Sequence, residues 1–276
     1  MMSIADNVES WLQLLQQAAQ RYILPEFARI DASTIRSKSN DNDVVTDADL
    51  AAERFISEAL QKMHPQALII GEEAAYTRPE LLALLPEAEL AFIIDPIDGT
   101  WNFAHGLPVF GCMLAVTHFG ETVAGMIYYP LSQQFLLAQR GQGAWLRDAQ
   151  SGLETPLRVM PAPIGCQQMS GFIAMSQFSA ERQKQFSSRL TEFARVSSLR
   201  CSAYEYRLMC QGSVHFTLNA ELRPWDHAAG QLIHQEAGGY SALLDGRTYQ
   251  PTVNQGHLLL APDRESWQQI KSTLIG

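Results

Sequence analysis

The apolar positions of the chain change period along its length, and each change marks a predicted element. Across "MMSIADNVESWLQLLQQAAQRYILPEF", Ile4, Val8, Leu12, Leu15, Ala19 and Ile23 recur at helical spacing and predict an amphipathic helix. The polar stretch "RIDASTIRSKSNDNDVV" has no such period and reads as an extended, mobile loop. Helical spacing returns in "TDADLAAERFISEALQKMHP", with Leu50, Ala52, Phe55, Ile56, Ala59, Leu60 and Met63 on one side and Pro65 as the stop. Two apolar runs, "ALIIGEE" and "AELAFIIDPID", then end in acids, the pattern of buried strands delivering side chains to one edge. "VFGCMLAVTHFGETVAGMIYYP" alternates about Gly120 as a hairpin, and "QQFLLAQRGQGAWL" reads as another strand pair.

The Pro- and Gly-bearing stretch "RDAQSGLETPLRVMPAPIGC" places a sub-domain boundary near 147–165, dividing one unit of 1–276 into halves of approximately 1–150 and 151–276. Beyond it, "GFIAMSQ", "ARVSSLRC", "VHFTLNAEL", "GYSALLDG" and "HLLLAP" read as strands. Helices at about 178–194, 203–212, 226–237 and 263–274 alternate with them. Strands early and β/α alternation late predict an α+β or mixed α/β protein.

Composition narrows the function classes. With 276 residues, 46% hydrophobic and 18% charged, this is the make-up of an ordinary globular chain with length for a real core. A net charge of −9 and the lack of any basic run argue against nucleic acid as a partner. No run approaches the roughly 18 apolar residues of a membrane span. The amino end has neither a basic flank nor an unbroken apolar core, which speaks against a secretion signal. Cys112, Cys166, Cys201 and Cys210 form no C-x-x-C pair and read as thiols of a reducing cytoplasm, without disulfides or a zinc site.

Four segments end in carboxylates beside turn residues: Asp47 and Asp49 in "DVVTDADL", Glu72 and Glu73 in "IIGEEA", Asp95 and Asp98 in "IIDPIDGT", and Asp226 in "RPWDHAAG". Each has a structural reading of its own. Thr46 and Asp49 fit a capping box, Asp226 a helix N-cap, and Glu72-Glu73 a solvated strand end. Together they form an oxygen-only donor set that suits a hard cation such as Mg²⁺ or Mn²⁺. Gly99 lets backbone approach closely, and a helix starting there would aim free N–H groups at an anion. Acids for metals beside N–H groups for an anion is the layout of metal-assisted phosphoryl chemistry. "DPIDGT" differs from the D-x-D-x-T of haloacid-dehalogenase-type phosphatases, since its aspartates are three residues apart and lie far from the amino end.

These residues resemble the inositol monophosphatase family of lithium-sensitive, Mg²⁺-dependent phosphatases. "DVVTDAD", "IIGEE", "DPIDGTWNFAHGLPVFG", "GQGAWL" and "PWDHAAGQLIHQEAGG" carry the resemblance across nearly the whole chain. It implies a layered α-β-α-β-α sandwich, usually dimeric, whose first half holds the catalytic metals while the second supplies Asp226 and the substrate pocket. Glu72, Asp95, Asp98, the Ile97 carbonyl and Asp226 would ligate two or three metal ions. Thr100 and Asp49 would orient and deprotonate the attacking water, the N–H groups of Gly99 and Thr100 would hold phosphate, Lys38 would help organise a further metal, and Glu73 would support the site. The implied activity is hydrolysis of a small phosphate ester in a homodimer of the cytoplasm, with Li⁺ as inhibitor.

The pattern departs from inositol-specific members at the substrate. They place a Glu seven residues before the W-D aspartate, where this chain has Asn219. Glu221, two residues on, would share the face of Asn219 if the strand continued. A Gly-Thr-Ala type segment is replaced by "RCSAYEY", so Arg200 and Ser202 line a different pocket or act as a surface ion pair and a helix cap. Histidinol phosphate and bisphosphorylated metabolites therefore stay open beside inositol and sugar phosphates, as does a regulatory protein that keeps the fold.

Overall fold

Every residue of the strand Ala91–Asp98 is buried, which requires cover on both faces of its sheet. The computed structural model, which describes residues 7–27, 35–40 and 43–276, shows that helices supply it. Of residues 35–40 and 43, only Arg36 has a described side chain. Helix α1 (Val8–Ala18) runs through a π-helical turn (Ala19–Ile23) into α2 (Leu24–Phe27). A hairpin, β1 (Ile35–Asn40) and β2 (Asp43–Thr46), precedes α3 (Asp47–Met63), β3 (Leu68–Gly71) and α4 (Glu72–Thr77). Next come β4 (Ala91–Asp98), α5 (Thr100–Ala104), β5 (Gly111–His118), β6 (Glu121–Tyr129), β7 (Gln134–Gln139), β8 (Ala144–Asp148) and β9 (Glu154–Pro156). The remainder is β10 (Ser170–Ile173), α6 (Ala180–Ser187), β11 (Arg195–Ser197), α7 (Ser202–Cys210), β12 (Phe216–Asn219), α8 (Pro224–Glu236), β13 (Tyr240–Leu243), β14 (Leu258–Ala261) and α9 (Arg264–Ile275).

Strands β3 to β9 form a seven-stranded sheet in sequence order, β3 parallel to β4 and the rest an antiparallel meander. Strands β10 to β14 form a five-stranded sheet in the order β11-β10-β12-β14-β13. Alternation assigns the faces. Phe92, Ile94, Leu114, Val116 and Met126 pack with Trp11, Leu15, Ile56 and Leu60 of α1 and α3. Ile93, Met113, Ala115 and Ile127 face the other way, onto Tyr206 and Met209 of α7 and Ala229 and Ile233 of α8. Leu258 and Leu260 of the second sheet complete that layer, while Leu259, Ala261 and Phe216 point outward to Phe186, Trp267 and Ile270. The layers are α-β-α-β-α, the predicted sandwich.

Helix α8 carries Asp226, and small residues let it lie flat on the first sheet. A Cβ on Gly125 would stand 2.7–3.1 Å from the Ala229 backbone. At the far end, Gly141 and Gly143 donate their N–H groups to the two Glu236 oxygens at 2.8 and 2.9 Å, fixing the helix against the β7–β8 turn. Gly125→Ala should push sheet and helix apart and destabilise the protein by about 1–3 kcal/mol. At about 2–4 °C per kcal/mol for a chain of this size, a melting curve reads that loss.

Several elements differ from the pattern-based reading. The segment expected to be a mobile loop contains the β1–β2 hairpin, with Ile35–Ser37 laddered onto Val44–Thr46. Residues 28–34 and 41–42, and Ile4 of the predicted apolar face, lie outside the described residues. On α3, Leu50 and Met63 are about 40% exposed (41% and 40%), because the buried stripe runs through Asp49, Ala52, Glu53, Ile56 and Leu60 instead. The helix predicted over 178–194 ends at Ser187, where the Ser188 hydroxyl donates to the Gln185 carbonyl and competes with the helical ladder. The stretch 147–165 is not wholly linker, since Glu154–Pro156 pairs with β8 as the edge of the first sheet.

Candidate active site

Two residues three apart on a regular strand point to opposite faces. Asp95 and Asp98 escape that rule because the ladder slips between them: Asp95 faces Met113, while Asp98 faces Gly111. Three steps on β4 match two on β5, a bulge at Pro96-Ile97 that admits the proline and turns both acids to one side. There they meet Asp226 on the first turn of α8, and carboxylate oxygens of all three lie within 4.8 Å of one another. Arg223 takes the N-cap place and Pro224 opens the helix, so Asp226 is its third residue and not its cap.

Such a set is held together against its own charge. Burial, and then the charges of Glu72, Asp98, Asp226 and Asp49, push Asp95 well above the usual carboxylate range. Asp98 is pushed up to about 6, again chiefly by burial, although N–H and S–H donors oppose the shift. Its Oδ2 accepts from the Ala203 N–H at 2.5 Å and the Cys201 thiol at 3.0 Å, which ties the strand end to the start of α7. Cys201 thus holds a site carboxylate. Asp226 is raised by burial and by Glu72 and Asp98, with Arg223 opposing. A dication reverses each of these shifts, and an all-oxygen donor set fits a hard one.

Asp49 serves two elements at once. Its Oδ2 accepts from the Thr46 N–H at 2.8 Å and the Thr46 hydroxyl at 2.5 Å, the predicted capping box. Its Oδ1 lies 3.2 Å from the Thr100 hydroxyl, which is also 2.9 Å from the Ile97 carbonyl. The structural and chemical readings of Asp49 are met by different oxygens. Gly99 turns the chain with φ +89°, and a Cβ there would stand 2.7 Å from the Val109 carbonyl. That left-handed residue ends β4 and starts α5 at Thr100.

Glu72 and Glu73 are the first two residues of α4 and not a solvated strand end. Sequence reading passed over the residue that fixes them, Glu53 of α3. Its Oε2 accepts from the Glu73 N–H at 2.8 Å and its Oε1 from the Ala74 N–H at 2.9 Å. Gly71 lies flat under that carboxylate, since a Cβ there would come within 2.1–2.5 Å of it. Glu53 is thus a buried clamp that sets where Glu72 stands. Glu53→Gln keeps one acceptor and loses the other, which should weaken the binding of a divalent cation to the acidic site several-fold in a calorimetric titration. An unchanged metal titration would refute the clamp.

The predicted pocket residues are brought together in a cleft of about 860 Å³, within the range of small-molecule sites. Glu72, Asp98, Gly99, Thr100 and Asp226 line it, and so do Arg200, Ser202, Asn219 and Glu221. Asn219, 5% exposed, donates to the Thr217 hydroxyl at 3.1 Å. Glu221 is not on the strand, which ends at Asn219; it is placed by Gln177, whose Oε1 accepts from the N–H groups of Ala220 and Glu221. Ser202 opens α7, with Cys201 as its cap. The Arg200 guanidinium lies 4.0 Å over the Trp101 ring. The sequence did not single out Gln177 or the buried Glu205 on this wall. His227 is buried between the Tyr206 hydroxyl and the Glu221 carbonyl, and burial lowers it to about 4. Lys38 is on β1, but its side chain lies outside the described residues.

Comparison with known proteins agrees with this geometry. A sequence profile of the inositol monophosphatase family matches residues 5–275. The Nus factor SuhB of Escherichia coli (strain K12) is 33% identical over 230 residues, 79% of each chain. The inositol-1-monophosphatase of Mesorhizobium japonicum is 28% identical over 242 residues, 85% of this chain and 86% of that one. Among solved structures, an IMPase of Thermotoga maritima superposes with a TM-score of 0.79 at 25% identity, covering 98% of this chain and 100% of the other.

Proposed function

The chain belongs to the inositol monophosphatase family, and on that premise we propose that it is a Mg²⁺-dependent phosphomonoesterase in which water attacks a small phosphorylated metabolite without a covalent enzyme intermediate. The observation that carries the reading is the β4 bulge that turns Asp95 and Asp98 towards Asp226, beside the Asp49–Thr100 pair. Asp95, Asp98, Asp226, Glu72 and the Ile97 carbonyl would hold the ions, two or three in number. Bound there, Mg²⁺ supplies charge for the phosphoryl and leaving oxygens and makes water acidic enough to react near neutral pH. The chain's own residues do the rest. The Thr100 hydroxyl positions the attacking water, and Asp49 Oδ1 takes its proton through that hydroxyl. The N–H groups of Gly99 and Thr100 hold the phosphate in line. Lys38 and Glu73 support the site, and Ser202, Asn219 and Glu221 meet the organic part of the ester. We assign the protein to the cytoplasm as a Li⁺-sensitive homodimer. Among the described residues no helix is long and apolar enough to cross a membrane.

Phosphate release from inositol 1-phosphate, histidinol phosphate, fructose 1,6-bisphosphate, adenosine 3′,5′-bisphosphate and glycerol 2-phosphate, with Mg²⁺ or EDTA, tests the reading. Mg²⁺-dependent turnover of at least one ester is expected. In a single turnover in ¹⁸O water the label should go directly to phosphate; label on an enzyme carboxylate would overturn the mechanism. Relatives named Nus factor favour a second reading, a regulatory protein that keeps the fold. No turnover on any ester, together with a reproducible macromolecular partner, would support that one.

A further inference from the structure

The loop of residues 220–223 runs from Asn219, at the end of β12 on the cleft wall, to the helix that carries Asp226. Both of its ends are fixed by other elements. Asn219 pairs with Leu258 in the second sheet, while α8 lies flat on Gly125 and is tied through Glu236 to the β7–β8 turn. Leu222 packs into the core layer between the sheets. Ala220 and Glu221 belong to neither strand nor helix, so their N–H groups need partners from side chains.

Gln177 supplies them. It ends a 3₁₀ turn (Met175–Gln177) that follows β10, and its Oε1 accepts from the Ala220 N–H at 3.0 Å and the Glu221 N–H at 3.2 Å. An N–H only donates, so the side-chain oxygen must be the atom on the loop, which fixes the orientation of the amide. The next residue, Phe178, is buried against Phe186 and His257 and anchors the turn. From the other side, His227 Nε2 lies 2.9 Å from the Glu221 carbonyl. That carbonyl only accepts, so Nε2 carries the proton and Nδ1 accepts from the Tyr206 hydroxyl, 3.1 Å away. The Tyr206 ring is seated in turn against Gly230 of α8, where a Cβ would come within 2.1–2.5 Å of it. Gln177 thus holds the N–H of Glu221 and His227 holds its C=O.

We propose that Gln177 and His227 are positioning residues, a two-sided latch on the backbone of Glu221 that holds this wall of the cleft in place and sets how tightly the organic part of the ester is bound. The inference rests on the reading that Asn219 and Glu221 meet that part of the ester. Because β12 and α8 are held independently of the latch, loosening it weakens ester binding and spares the step at phosphorus.

The test compares the wild type with Gln177→Met, which keeps the side chain's length but loses its oxygen, and Gln177→Glu, which keeps an oxygen for both N–H groups. On the ester of the panel that turns over best, Gln177→Met should raise KM about 5–20-fold, the worth of one or two ordinary hydrogen bonds. Its kcat should fall less than about threefold, the pattern of lost binding common to ground and transition states. Gln177→Glu should bring KM back to within about threefold of the wild type. Hydrogen exchange at the Ala220 and Glu221 amides should follow the same order, fastest in Gln177→Met. An unchanged KM in Gln177→Met, or a fall in kcat alone, would overturn the proposal. So would a rise in KM that Gln177→Glu fails to reverse, which would make Gln177 Nε2 a direct contact of the ester. On the other side, His227→Gln can still donate to the carbonyl and should stay closer to the wild type than His227→Phe; equal KM values for these two would leave no two-sided latch. Calorimetric binding of the same esters, with Ca²⁺ in place of Mg²⁺, separates this inference from the phosphatase reading. Binding weakened in Gln177→Met and recovered in Gln177→Glu, with no ester hydrolysed, would fail the phosphatase reading and uphold the latch; equal Kd values in all three proteins would sink the latch whatever the hydrolysis.

Discussion

Asp95→Asn should abolish Mg²⁺-dependent phosphate release while leaving a folded protein. Asp95 is 2% exposed, and the Ile97 N–H donates to its Oδ1 at 3.0 Å. An asparagine oxygen can keep that bond, so the strand end and its bulge survive the change. What goes is a negative charge from the set that includes Asp98 and Asp226. Metal charge contributes several kcal/mol to a transition state of this kind, and each 1.4 kcal/mol or so is tenfold in rate. The loss is therefore about a thousandfold or more. Asp98→Asn is the less clean variant, because Oδ2 also anchors the Ala203 N–H and the Cys201 thiol, so activity and loop position change together. Circular dichroism and a melting curve check the fold of Asp95→Asn. Turnover near the wild-type rate in that folded variant would remove Asp95 from the chemistry.

What could be read from the chain depended on how local the signal was. The run "FIIDPID" announced a buried strand ending in acids because every residue of it is buried, and a continuous apolar run is what such burial demands. That both acids turn to one side was not legible. It depends on a slip in the ladder with β5, a partner whose register no local pattern specifies. Helix α3 shows the converse. Counting apolar positions put Leu50 and Met63 inside, yet the buried stripe runs through Asp49 and Glu53, one turn apart. Glu53 could have been found from its spacing of four from Asp49 together with the glycine of "IIGEE". A buried carboxylate needs donors, and a glycine before a helix start supplies room beside free N–H groups. The wall draws on two segments, Gln177 on one and Arg200 with Glu205 on the other; "RCSAYEY" drew attention to Arg200 and Ser202, but nothing local marked Glu205 as buried or brought Gln177 to the site.

The second large effect concerns how stability depends on pH, and its sign depends on whether metal is present. Asp98 is pushed up to about 6 and the buried Glu205 to about 7, while Asp95 and Asp226 are also raised. In the unfolded chain the same groups titrate near 4. Between those values the native state binds protons that the unfolded state has released, so unfolding free energy falls as pH rises. In EDTA, the protein should therefore melt higher at pH 5 than at pH 7, by up to about 1.4 kcal/mol per pH unit for each proton held. Saturating Mg²⁺ should invert the trend. The ion binds only the folded, ionised site and stabilises it by mass action, and protons compete for the same oxygens, so stability rises with pH over that window. Asp95→Asn should be more stable than the wild type in EDTA at pH 7, because one buried charge is gone, and should gain less from Mg²⁺. Melting curves at pH 5, 6 and 7 with EDTA or Mg²⁺ read all three effects. Parallel profiles in the two conditions would mean that the chain's own donors already satisfy these carboxylates, and the physical need for a dication at the β4 bulge would disappear.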